Sequence, residues 1–244
     1  MKKLILIAAL LFVGNYLVNA QISGVGFRPG LTLSKYKLTS DYNDIYDATF
    51  QPGGSFAGFL EINLGNRFTI QPELAFTQRG VHMVSESAIY WEGPEFGYEP
   101  YEKVVEYRFR ETLNYIDIPV MVEKNFGGGM FGGYIAAGPA LSFGIKGKGK
   151  EEILIEYPAS EDKFVVENRT DRKEYEIEMG KGRYDMYKGF DFSLNLGAGL
   201  LFLLENGEIG LDLRYTHGTR GLDVNGQKNR NFNIGVSYMH YIGG

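Results

Sequence analysis

Three histidines are the first residues to test for chemistry: His82, His217 and His240. A hydrolase or acyltransferase built on histidine needs that ring paired with a carboxylate or a serine. His82 has Ser85 and Glu86 close by in sequence, and His217 is followed by Asp223. No stretch has the spacing of a nucleophile elbow or of a metal-binding histidine motif. Lys146-Gly-Lys-Gly-Lys150 has the residue types of a phosphate loop but lacks the Gly-x4-Gly-Lys-Ser/Thr spacing, and suits contact with lipopolysaccharide phosphates instead. There is no cysteine, which excludes thiolate catalysis, Cys-based metal sites and disulfides. The histidines therefore read as wet polar residues of a rim, and the chain as non-enzymatic, with no cofactor and no metal. The competing reading is a rim-located hydrolase or acyltransferase that uses His82 or His217.

A second set of residues carries charge where apolar neighbours alternate. Arg28, Glu73, Asp117, Glu123, Lys146, Asp191, Asp212 and Arg214 fall on the polar side of a period-two pattern. Buried charges must pair or they cost several kcal/mol each. If this side faces inward, the expectation is a paired polar network that fills an interior, formed by Arg28, Glu73, Asp117, Glu123, Asp191, Asp212 and Arg214, with Lys146 beside it.

The elements that must position these residues are strands. From Phe190 every second residue is apolar: Phe190, Phe192, Leu194, Leu196, Ala198, Leu200, Phe202, Leu204. A helix would scatter those side chains around its axis, whereas a strand lines them along one face. The segment is also longer than the five or six residues typical of globular strands. Glu205-Asn206-Gly207 turns the chain into Ile209, Leu211, Leu213, Tyr215, and a last strand carries Phe232, Ile234, Val236, Tyr238. The same alternation runs through residues 25–33, 56–64, 68–77, 116–123 and 131–145, giving eight candidate strands.

The connections differ in an ordered way. Links near 65–66, 127–129 and 205–207 are two or three residues, whereas those near 35–53, 80–104, 147–188 and 218–229 are long. Short periplasmic turns and long extracellular loops are what a transmembrane barrel requires, with both termini on the short-turn side. Closing an even number of antiparallel strands also removes the sheet's edges.

Eight strands enclose a space only wide enough for side chains to fill. Phe, Leu and Ile from every strand would overfill it, whereas Gly, Ser, Asn and the paired charges would fit. The apolar face is therefore expected outward, against lipid. A soluble lipocalin-like lipid carrier, with the apolar face inward, is the alternative. The chain carries 17 Tyr and 17 Phe against one Trp, and 33 Gly, a composition suited to interfacial aromatic girdles and curved strands. A net charge of −5 argues against nucleic acid as a partner.

Residues 1–20 have the layout of a secretory signal peptide. Met1-Lys2-Lys3 is the positive start, Leu4–Val13 the short apolar core, and Val18-Asn19-Ala20 precedes a cleavage expected near Ala20. The apolar core is shorter than the ~20 residues that a spanning helix needs. Residues 21–244 are then expected to form one barrel domain in the bacterial outer membrane.

The segment Asn114–Phe126, with Tyr115, Ile118 and Pro119, resembles the "Y-x-x-I-P-hydrophobic" strand of the outer-membrane β-barrel proteins of Bacteroidetes, a group often labelled PorT-like. Gln71-Pro72-Glu73-Leu74-Ala75-Phe76 with Gln78-Arg79-Gly80 resembles that family's "PEL" strand. Gly138-Pro139-Ala140-Leu141 and Arg214-Tyr215-Thr216-His217-Gly218 are similar to its later strands. The resemblance spans essentially all of 21–244. It implies an eight-stranded antiparallel up-and-down transmembrane barrel in the outer membrane, and no single shared activity. A role in protein secretion or gliding is among those it includes.

The long loops carry the remaining signal. Tyr90, Trp91, Phe96, Tyr98 and Tyr101 lie among acids and prolines in the 80–104 segment and suit recognition. Ile153, Ile155 and Tyr157, and Tyr175, Ile177 and Met179, alternate in the 147–188 segment and suit a β-structured rim above the membrane. The expected function is structural or binding, with a protein or glycan ligand at the extracellular loops. The surrounding partners are outer-membrane lipid and lipopolysaccharide, and the expected state is a monomer.

Overall fold

The computed structural model describes residues 21–37, 47–91, 101–156, 169–180, 187–219 and 226–242. The described strands are β1 (Gln21–Lys37), β2 (Asp47–Thr49), β3 (Gln51–Gly65), β4 (Phe68–Trp91), β5 (Tyr101–Gly128), β6 (Phe131–Glu156), β7 (Arg169–Ile177), β8 (Phe190–Leu203), β9 (Gly207–Gly218) and β10 (Lys228–Tyr241). Eight of them close a ring in the order β1-β3-β4-β5-β6-β8-β9-β10, and β10 pairs back onto β1. Every neighbouring pair in the ring is antiparallel. The ring matches the eight strands expected from the alternation. The two further strands lie outside it: β2 pairs the upper part of β4, and β7 pairs the upper part of β6.

The short turns gather at one end, with the start of β1 and the end of β10. The β3–β4 turn is Asn66-Arg67, both in the left-handed region (φ 54° and 65°), rather than Gly65-Asn66. Two consecutive positive-φ residues give a turn whose twist matches the strands it joins.

The alternation sets the faces. Leu31, Leu74, Leu196, Leu200 and Phe131 project outward, each well over half exposed, whereas Arg28, Glu73, Asp117, Glu123, Asp191, Asp212 and Arg214 are buried inside. Such a continuous outward apolar surface is stable only against lipid. Aromatic contacts mark both margins of the belt. Phe131 meets Phe202 (centroids 5.5 Å) near the short turns. Phe143 meets Phe190 (5.5 Å), and Tyr215 meets Phe232 (4.9 Å), near the opposite rim.

Two long connections are shorter than the sequence suggested. β4 and β5 stay paired from Phe68↔Lys124 to Trp91↔Tyr101, so most of the 80–104 segment is strand. Tyr90, Trp91 and Tyr101 are thus on strands, at the tip of a hairpin, and not in an irregular loop. Phe96 and Tyr98 lie outside the described residues, as do the signal segment 1–20 and Asp223. β6 changes partner along its length: residues 131–143 pair β8, and residues 147–155 pair β7. Strands β4, β5, β6 and β7 therefore continue upward as a blade on one wall, while β1, β9 and β10 stop near the girdle.

A bulge explains one misplaced charge. Asn114 pairs Lys146 while Tyr115 pairs Gly144, leaving Ile145 as the extra residue in β6. The extra residue reverses the alternation beyond it. Lys146, expected inside, is exposed on the outer face, and Gly147 and Gly149 take the inward positions.

Candidate functional site: a charged lumen beneath an external blade

Near the middle of the lumen, Glu73 of β4 joins two arginines. Arg28 Nη2 donates to Glu73 Oε2 at 2.5 Å, and Arg214 Nη1 donates to Glu73 Oε1 at 2.6 Å. Arg214 also donates to Gln71 Oε1 at 3.0 Å and lies 3.9 Å from Glu123. Asp212 sits 3.7 Å from Arg28, accepts from Ser237 Oγ at 2.7 Å and accepts from the Tyr134 hydroxyl. Five charged side chains and their hydroxyl partners thus form one connected network, in which each of the three carboxylates lies within 4 Å of a guanidinium.

A second group lies nearer the outer rim. Arg79 Nη2 donates to Asp117 Oδ2 at 2.6 Å, its guanidinium lies 4.7 Å from the Tyr115 ring centre, and Ser142 Oγ is within 3.4 Å. Arg79 was not singled out in the sequence for its charge. It lies at even spacing from Gln71, Glu73 and Thr77, so the period-two pattern already placed it inside. Asp191, almost wholly buried, pairs in register with Ser142. Among the described residues, a cavity of about 60 Å³ in the lumen is lined by Arg28, Glu73, Arg79, Asp117 and Arg214 among others, which is space for about two water molecules. The lumen is a packed polar core.

Above the charges, Tyr36, Val81, Leu113, Tyr115, Ile177, Met179 and Tyr187 form an apolar cluster. Ile177, the last residue of β7, and Met179, just beyond it, are expected on an external rim and are instead buried in this cluster. Tyr187 donates its hydroxyl to the Glu111 carboxylate. Sequence spacing could not show this cap, because Tyr187 and Met179 are held by a bridge outside any regular strand.

The blade presents two cross-strand rows on its outer face: His82–Arg110–Lys150–Glu174 and Val84–Arg108–Glu152–Arg172. These rows line a groove of about 620 Å³. Lys150 meets Glu174 at 2.5 Å and Arg172 meets Glu152 at 2.6 Å; each carboxyl is held below its ordinary range first by that hydrogen bond. Exposed pairs of this kind contribute little stability. Burial, then the nearby Arg110 and Arg108, lower the pKa of His82. Its ring nitrogen lies 3.3 Å from the Thr49 hydroxyl. His217 lies 3.4 Å from the Tyr215 hydroxyl. His240, in register with Gly207, is at the short-turn end.

Comparison with solved structures finds similar chains. Neisserial surface protein A is 9% identical, with 92% of this chain and 99% of that one covered and a TM-score of 0.46. The attachment invasion locus protein Ail of Yersinia pestis, in complex with sucrose octasulfate, is 14% identical, with 90% and 99% covered and a TM-score of 0.33. The outer membrane protease OmpT of Escherichia coli is 10% identical, with 92% and 98% covered and a TM-score of 0.33. No curated protein matches in sequence. The sequence model of the outer membrane protein beta-barrel domain matches residues 19–223, and with the closed eight-stranded ring and its outward apolar belt already in view, this chain belongs to that family of outer-membrane β-barrels.

Proposed function

We propose that this protein is a non-enzymatic surface-binding barrel whose β4–β5–β6–β7 blade engages a protein or glycan outside the cell. The observation that carries this reading is the continuation of paired strands past the apolar girdle, from His82 to Trp91 in β4 and from Tyr101 to Arg110 in β5. At roughly 3.3 Å per residue this projects a sheet of about 30 Å. A membrane anchor alone has no use for such a sheet. Its groove offers charges of both signs on fixed strands, a surface suited to polar recognition. The aromatic positions Tyr90, Trp91 and Tyr101 lie at its tip. The compact polar lumen favours this reading over transport.

The finer assignment to the PorT-like group of Bacteroidetes is supported by adjacent motifs: Gln71 pairs Met121 and Gln78 pairs Asn114, so the two characteristic segments lie on neighbouring strands. Export through a signal peptide cut near Ala20, and a monomeric barrel, belong to the same proposal.

The test compares cells displaying the full chain with cells displaying a variant whose blade is replaced by short turns above His82 and Lys150. Heat-modifiable gel migration checks insertion, and binding to arrays of glycans and extracellular proteins is the readout. The shortened variant is expected to insert and lose binding. A hydrolytic activity of the full chain that disappears in a His82→Ala/His217→Ala double variant would instead establish the rim-enzyme reading.

A further inference from the structure

On the wall opposite β5 and β6, the outer face just above the aromatic girdle is basic. Leu33, Phe232 and Tyr215 lie side by side across β1, β10 and β9. Two residues further from the short turns, the corresponding outward positions are Lys35, Arg230 and His217, with Lys35 directly opposite Arg230. The next row pairs Lys37 directly with Lys228. Two like-charge pairs therefore stand one above the other, an arrangement that destabilises an isolated sheet.

Within the described residues no carboxylate pairs with these four cations. Arg230 donates to the Gly218 and Asn229 carbonyls. The Lys35 ammonium lies over the Phe50 ring, 5.0 Å from its centre, and Phe50 in turn meets Phe232, so this cation is held just above the girdle. The charges that act on His217 are also cationic: Arg230, Lys228 and Lys37. The opposite wall differs, because there Lys150 and Arg172 have carboxylate partners.

We propose that Lys35, Lys37, Lys228 and Arg230 form a binding site for the phosphate headgroup of a phosphorylated glycolipid in the outer leaflet. Three features select this occupant. The site sits about two residues, roughly 7 Å, above the last apolar row, where lipid phosphates lie. It concentrates four cations whose mutual repulsion a phosphate relieves. It also faces outward on a wall that ends near the girdle, so nothing of the blade separates it from the bilayer.

The full chain, folded into phosphatidylcholine vesicles, is titrated with bis-phosphorylated lipid A, with dephosphorylated lipid A, with phosphatidylglycerol and with free inorganic phosphate. Binding is read by phosphorus NMR line broadening and by lipid retention in native mass spectrometry. Bis-phosphorylated lipid A is expected to bind at least about tenfold more tightly to the wild type than to a Lys35→Gln/Lys37→Gln/Lys228→Gln/Arg230→Gln variant. A Lys146→Gln/Lys148→Gln variant, on the opposite wall and outside the blade's groove, is expected to stay within about twofold of wild type, by the same arithmetic. The exposed pair Lys37→Gln/Lys228→Gln, which disturbs no packed side chain, serves if the fourfold variant does not fold, with an intermediate loss expected. Equal binding by all variants, an equal loss in the opposite-wall variant, or equal affinity for dephosphorylated lipid A overturns the proposal. So does equally tight binding of phosphatidylglycerol, which reports a general anionic surface, or of free phosphate, which reports an ion site. None of these outcomes depends on whether the blade binds a partner.

Discussion

Arg214 of β9 reaches across the lumen to Glu73 of β4 at 2.6 Å, and these strands are four places apart in a ring of eight. That is the greatest separation the ring allows, so a single ion pair spans the barrel's diameter. Arg28 of β1 holds the other oxygen of the same carboxylate. The shape of the barrel's cross-section is thus fixed from three strands by one buried glutamate.

Glu73→Gln is expected to destabilise the barrel by about 3–5 kcal/mol, because it removes the carboxylate that both buried guanidiniums bond, leaving Arg28 only Asp212 at 3.7 Å and Arg214 only Glu123 at 3.9 Å. Urea unfolding in detergent micelles measures this. Replacing the whole charged set, Arg28, Glu73, Glu123, Asp212 and Arg214, with apolar residues of similar volume is expected to recover much of the loss. A fivefold variant less stable than Glu73→Gln would show that the network's hydrogen bonds outweigh its desolvation cost.

The outward face gives a depth-dependent expectation. Leu196 lies midway along β8, between the girdle residues Phe190 and Phe202. Leu196→Arg is expected to cost about 2–4 kcal/mol in a bilayer, and Phe202→Arg about 0–1. Comparable costs at both sites, measured by reversible unfolding from vesicles, would contradict the outward apolar belt.

Gly138 is constrained by close approach. A Cβ there would lie 2.0 Å from the Val120 carbonyl oxygen of the neighbouring strand. Since that obstacle is backbone, Gly138→Ala is expected to weaken the β5–β6 pairing and slow folding into vesicles. Gly58→Ala, where a Cβ meets nothing within 4 Å, is expected to fold like the wild type.

His82 should titrate below the ordinary histidine value, because burial and then Arg110 and Arg108 oppose its protonation. The folded chain therefore resists a proton that the unfolded chain accepts. Local stability of the blade is expected to be complete above the unfolded histidine's pKa and to fall as pH drops from there toward the folded value. An NMR titration of His82 reads the midpoint directly, and Arg110→Gln is expected to raise it.

The sequence by itself determined the period-two faces, the short turns, the closed count of eight and the inward placement of Arg28, Glu73, Asp117, Glu123, Asp191, Asp212 and Arg214. These follow from local rules, since side chains alternate along any strand and a two-residue turn needs only its own backbone. Arg79 was legible by the same rule. Only the tertiary structure decided which charges meet. Arg214 finds Glu73 across the ring because strand tilt and register set their heights, and neither is written in one strand alone. The bulge at Ile145 sent Lys146 outward, and the exchange of partners along β6 raised the blade, because pairing competes among strands far apart in sequence. The basic face of β1, β9 and β10 likewise exists only after residues 35, 37, 217, 228 and 230 are brought side by side.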